Sequence, residues 1–170
     1  AQQAFGNQWE AWWREQSGDA TGAEPWQPQT GVQWPEVPGE LRNWKDWGPE
    51  FASYNGTLWY RTTVDLTAEL ASRDAVLSLG VADDVDQTWI NGNVVGNTFG
   101  WGLPRTYTIS AEELQEGENV IVVNVLNTWG SGGLLAAPPT RALLAGTGDH
   151  LPLENWQYTK PADDVGYPPR

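Results

Sequence analysis

Two stretches of this chain set a tryptophan among glycines and polar groups. One is Asn97-Thr98-Phe99-Gly100-Trp101-Gly102-Leu103-Pro104-Arg105, and the other is Asn127-Thr128-Trp129-Gly130-Ser131-Gly132-Gly133-Leu134. A core strand has no need of such glycines, whereas a loop on a rigid scaffold can use them to present a ring. A sugar offers an apolar C–H face ringed by hydroxyls. An indole suits the face, and Asp, Asn or Arg suits the rim, with stacking worth about 0.5–1.5 kcal/mol beyond area. Trp101 and Trp129 either stack on such a ligand or pack beneath their own loops. Asn97, Asn127 and Arg105 are the polar candidates beside them. A third stretch, Asp83-Asp84-Val85-Asp86, puts three carboxylates within four residues. These can bind sugar hydroxyls, hold a structural calcium ion, or cap loop amides and pair with Arg105. The EF-hand pattern is absent, because the Gly at the sixth position and the Glu at the twelfth are missing.

Catalytic constellations are scarce. The single histidine, His150, enters a predicted strand, and no cysteine exists. No serine sits in a Gly-x-Ser-x-Gly elbow, and no His-Glu-x-x-His or phosphate-cradling glycine loop occurs. Carboxylates are plentiful, yet no pair of them is distinctively placed for glycoside hydrolysis. The expectation is a non-catalytic chain without a cofactor, calcium being the one metal the acidic loop suggests.

The elements that must position these residues are mainly strands. Thr57–Asp65, Ala75–Val81, Val85–Ile90, Asn93–Gly96, Thr106–Ile109, Glu118–Leu126, Arg141–Ala145 and Leu151–Thr159 are rich in β-branched and aromatic residues. Asn91-Gly92 marks a hairpin. Across it Trp89 should face Val94 and Thr88 should face Val95. Both faces of this hairpin then carry apolar groups, so Trp89 is either core or part of a ligand cleft on the outer sheet face. Ser110-Ala111-Glu112-Glu113 fits a capping box, and Glu118–Leu126 reads as a central strand. Short strands at this spacing predict an all-β jelly-roll sandwich over 56–160. Ahead of it, residues 3–16 carry Phe5, Trp9, Trp12 and Trp13 at helical spacing. A Gly-, Pro- and Trp-rich arm follows, so 1–55 should be a short helix and arm packed on the sandwich, with 161–170 a tail.

Composition narrows the partners. With 9 basic and 22 acidic residues the net charge is −13, which disfavours nucleic acid and anionic membrane surfaces. No run of 18 apolar residues is present. The start, Ala1-Gln2-Gln3, shows neither leader nor initiator methionine and fits a mature or excised piece of a larger protein. Twelve tryptophans in 170 residues exceed what one core needs, so some should meet a partner.

Read in order, Gly56-Thr57-Leu58-Trp59-Tyr60-Arg61, Leu77-Ser78-Leu79-Gly80 and Asp83-Asp84-Val85-Asp86-Gln87-Thr88-Trp89-Ile90-Asn91-Gly92 form a familiar text. Pro104-Arg105-Thr106-Tyr107, Gly117-Glu118-Asn119-Val120-Ile121, Gly132-Gly133 and Leu151-Pro152-Leu153-Glu154-Asn155-Trp156-Gln157-Tyr158 continue it. From about Trp34 to Tyr158 the sequence resembles the galactose-binding-like jelly-roll domain of sialate O-acetylesterase-like carbohydrate esterases. That domain is related to the sugar-binding domain of family 2 glycoside hydrolases. The resemblance implies a jelly roll, a secreted or periplasmic setting in polysaccharide degradation, and a carbohydrate as partner. In such esterases the catalytic Ser and Asp-x-x-His lie on a separate α/β domain, and no segment here matches either. The expected function is thus a carbohydrate-binding module from a multi-domain glycan-degrading enzyme. The other expectation is a structural jelly roll that packs against a covalently linked SGNH-type catalytic domain.

Overall fold

Ten strands form two antiparallel sheets among the residues that the computed structural model describes, which are 2–17, 24–28, 33–161 and 168. In chain order the elements begin with helix α1 (Gln2–Ser17), strand β1 (Gly56–Leu66), the single turn α2 (Ala68–Ala71), β2 (Ala75–Asp83) and β3 (Val85–Ile90). They continue with β4 (Asn93–Phe99), β5 (Pro104–Ile109), β6 (Gly117–Asn127), β7 (Gly133–Leu134), β8 (Ala142–Leu144), β9 (His150–Pro152) and β10 (Gln157–Thr159). The first sheet runs β10-β1-β6-β3-β4, and the second runs β5-β2-β8-β9 with β7 on the end of β2. This is an all-β sandwich with one short amino-terminal helix. The predicted stretch Leu151–Thr159 is split, because Glu154-Asn155 turns the chain from one sheet to the other; Asn155 takes a φ of 55° there. Predicted positions 18–23 and 29–32 of the arm, and 162–167, 169 and 170 of the tail, lie outside the described residues.

The order follows from the side chains. β6 carries Val120-Ile121-Val122-Val123-Asn124-Val125-Leu126 and sits in the middle of the first sheet, buried on both faces. Continuous β-branched runs belong where there is no solvent face. On its inner face the sheet meets the second sheet across Leu58, Tyr60, Leu77, Leu79, Ile90, Ile109, Ile121 and Val123. Its outer face carries a second apolar cluster of Trp9, Trp26, Trp59, Val85, Trp89, Val94, Val122 and Leu126. Helix α1 packs on β4 there, bringing Trp9 and Phe5 over the sheet. Trp26 stacks on Trp89 at 5.7 Å with the rings 14° apart, and Trp59 lies 5.4 Å from Trp89. The capping box at Ser110 forms as expected, the Ser110 and Glu113 side chains each meeting the other residue's backbone end.

Gly6, in the middle of α1, has a structural reason. A Cβ at this position would lie 2.5 Å from Cγ2 of Val94, so only a glycine lets the helix approach β4 so closely. The hairpin turn is equally specific, with φ at 49° for Asn91 and 82° for Gly92. Both central residues are left-handed, as the type I′ turn requires. The register differs from expectation by one residue. Trp89 pairs with Val94, but Thr88 pairs with Gly96, so Val95 is the extra residue of a bulge.

Candidate functional site

The exposed tryptophans are Trp101, at 69% of its free surface, and Trp129, at 83%. The other ten are buried or half-buried. Trp101 sits in the connection between β4 and β5, and Trp129 in the one between β6 and β7. Phe99, at the end of β4, and Leu103, on the first connection, are also partly exposed, at 40% and 50%.

Asp84 joins the two connections. Its backbone carbonyl accepts the Gly100 N–H at 3.0 Å on the Trp101 side. Its carboxylate accepts the Thr128 N–H at 3.0 Å and the Thr128 hydroxyl at 2.8 Å on the Trp129 side. Asp83 continues the brace, accepting the Gly132 N–H at 3.2 Å with Oδ2. Asn127 closes its own loop by accepting the Trp129 N–H at 3.2 Å and donating to the Gly130 carbonyl. Such local bonds from Asp and Asn are the usual way to hold an irregular segment.

Arg105 lies beneath, wholly buried. Nε donates to Asp86 Oδ1 at 2.9 Å, Nη1 to the Gly100 and Leu103 carbonyls, and Nη2 to the Asp84 and Thr98 carbonyls. A guanidinium has five N–H donors, and here all five are used. Asp86 also accepts from the hydroxyls of Tyr107 and Thr88. Burial pushes the Asp86 carboxyl up, while the Arg105 charge and these donors oppose the shift. Burial, and the neighbouring Asp84 charge, raise Asp83 too, against the pull of the Gly132 amide.

The expected site residues therefore part into two groups. Trp101 and Trp129 reach solvent, on loops that one residue ties together. Asp83, Asp86, Arg105 and Asn127 are buried with their polar atoms engaged inside the protein, and Asp84 is half-buried in the same framework. Their hydrogen bonds build the loops. Asn97, on β4, is half-buried beside Gln87, to which it donates at 3.4 Å. Trp89 lies on the outer sheet face and is wholly buried there. The chain's own helix and Trp26 cover it, and its Nε1 donates to Glu10 at 3.0 Å. Among the described residues no group of three or more His, Cys, Asp or Glu is placed to hold a metal.

Comparison with protein-family models and with curated proteins finds no match. Among solved structures, a β-glucuronidase from an uncultured Clostridium sp. is similar over 71% of this chain and 19% of its own, with a TM-score of 0.51 and 22% identity. A β-glucuronidase from Bifidobacterium dentium, complexed with coumarin-3-O-glucuronide, is similar over 53% of this chain and 15% of its own, with a TM-score of 0.48 and 24% identity. A GH2 β-galacturonidase from Eisenbergiella tayi gives 61%, 20%, 0.47 and 17% for the same measures. The chain thus spans about a fifth or less of the length of these enzymes, and what it has in common with them is the fold of part of it.

Proposed function

We propose that this chain is a non-catalytic carbohydrate-binding module of an extracytoplasmic glycan-degrading enzyme, with Trp101 and Trp129 as its stacking platform. The observation that carries the reading is the exposure of these two rings on braced neighbouring loops, in a chain that buries or half-buries its other ten tryptophans. Leaving large rings in water is unfavourable, and exposed apolar groups on a fixed frame point to a surface that meets something. The sequence resemblance to the jelly-roll domain of sialate O-acetylesterase-like esterases supports a glycan context, and so does a fold in common with glycosidases. Affinity gel electrophoresis against xylans, pectins, algal glycans and sialoglycans is the test. Retardation by at least one, lost or reduced about tenfold in Trp101→Ala and Trp129→Ala, is expected from the loss of one stacked ring. No retardation on any of them would remove this reading.

The second reading is a structural domain that packs against an SGNH-type catalytic domain. The chain spans about a fifth of the length of the β-glucuronidase it is similar to in fold, which is compatible with a further linked domain. It calls for an apolar patch around Trp9, Trp12, Trp26 or Trp44. Trp9, Trp26 and Trp44 are instead buried within this chain, and Trp12 is half-buried. The exposed loop tips would then be the contact, and no glycan would bind.

A further inference from the structure

A cavity of about 590 Å³ includes no residue of the tryptophan loop tips. Its walls come from arm residues between 36 and 42, from 135–138, from Arg141 and from 153–156. Its volume is in the range of small-molecule sites, roughly 300–1,000 Å³. Trp156 and Leu153 give it an apolar side and are themselves nearly buried, at 7% and 3% exposure.

Arg141 is the unusual member. It keeps only 5% of its surface exposed, and no carboxylate pairs with it among the described residues. Nη1 donates to the carbonyls of Leu134 and Ala136, but Nε is buried without a partner. The contrast with Arg105, whose donors are all used, is direct. Nε is sealed from solvent by the surrounding chain, so Nη2, for which the structure shows no partner, is the donor that can reach a carboxylate in the cavity. Tyr60, outside the cavity lining, is a second orphan: its hydroxyl is buried, lacks a partner, and feels the Arg141 charge. Burial lowers the Arg141 pKa, and Tyr60 opposes that shift. An orphaned buried donor costs about 1–3 kcal/mol, more for a charged group. A neutral hydrogen-bond acceptor on Nη2 would leave the charge uncompensated, whereas a carboxylate would balance it.

We infer that this cavity binds a small organic carboxylate, with its charge on Arg141 and its body against Trp156 and Leu153. The overall charge of −13 does not forbid this. Exposed charges are screened over about 8 Å at physiological salt, while a buried cation acts at contact. On the walls Arg42 pairs with Glu40, while Glu36 and Glu154 oppose an anion, so binding rests on direct contact with Arg141.

The test is titration of the whole chain, followed by ¹⁵N NMR and calorimetry, with glucuronate and benzoate as probes. Glucose and methyl benzoate are their uncharged counterparts. Saturable millimolar binding of at least one acid, about tenfold tighter than its counterpart, is expected for one charge-assisted pair. The shifts should centre on Arg141 Nε–H and Trp156 Nε1–H. Which acid binds separates a sugar acid from an aromatic one. Arg141→Gln should weaken binding about tenfold, while Trp129→Ala leaves it unchanged, which keeps this site distinct from the stacking platform. If Arg141→Gln does not fold, Ala137→Trp, at an exposed rim position, should block the cavity instead. The inference is overturned by the absence of binding, by equal binding of acid and counterpart, or by shifts confined to the tryptophan loops. It is also overturned if Ala137→Trp leaves affinity intact.

Discussion

Arg105 and Asp86 form an ion pair between the sheets in which neither partner can be lost cheaply. Removing one member of a buried pair typically costs about 3–5 kcal/mol, because the other remains charged and unsolvated. Arg105→Met should fall in that range by urea unfolding, and Arg105→Met with Asp86→Leu should recover part of it. A single variant within 1 kcal/mol of the wild type, roughly the value of an exposed pair, would contradict this account. Asp83 bears on pH. Its carboxyl is raised above the ordinary value of 3.8 by burial first and by Asp84 in addition. The folded state therefore holds this proton more tightly than the unfolded state. Its contribution is greatest at low pH and is lost as pH rises from about 3.8 through the folded pKa. Asp83→Asn keeps an oxygen to accept the Gly132 amide and should flatten that part of the melting curve against pH. An unchanged pH profile would show that Asp83 titrates normally. The acidic triplet and Arg105 were legible in the sequence as a cluster. Their use as loop braces was one of three open alternatives, and the bracing hydrogen bonds are visible only in the structure. Arg141 gave no signal, since a lone arginine at a strand edge has no motif and its missing partner exists only in space.

At the scale of elements, helix α1 sets two preferences in opposition at Gly6. Helix propensity favours alanine there by about 1 kcal/mol. The added Cβ would lie 2.5 Å from the Val94 side chain, however, and pushing the helix off β4 should cost more, about 1–3 kcal/mol. Gly6→Ala is therefore expected to destabilise the protein in urea; a stabilised variant would mean that α1 does not bear on β4. The main strands were readable because β-branched runs and an Asn-Gly turn are local signals. The bulge at Thr88 and Trp89 was not, since it answers to packing across the sheet. Nor was the face that Trp89 takes. Alternation showed that both faces were apolar, and only the position of α1 tells that the outer one is covered.

For the whole molecule, the first sheet lies between two apolar layers, one supplied by the second sheet and one by the chain's own amino-terminal part. A chain lacking residues 1–17 should uncover Trp59 and Trp89 on one side of a folded sandwich. Buried tryptophans hide about 150–250 Å² each, so the shortened chain should bind a hydrophobic dye, shift its emission to the red and melt lower. Unaltered dye binding would mean that the helix is not a structural layer. The loops at the exposed end have a different kind of freedom. Arg105 holds the first loop wholly through backbone carbonyls, at Gly100, Leu103, Asp84 and Thr98. No side chain at the tip takes part in that grip. Position 101 can consequently change its residue type over evolutionary time, or by design, without loosening the frame that displays it. Domains built this way could exchange one target for another by single substitutions, each tried at almost no risk to folding.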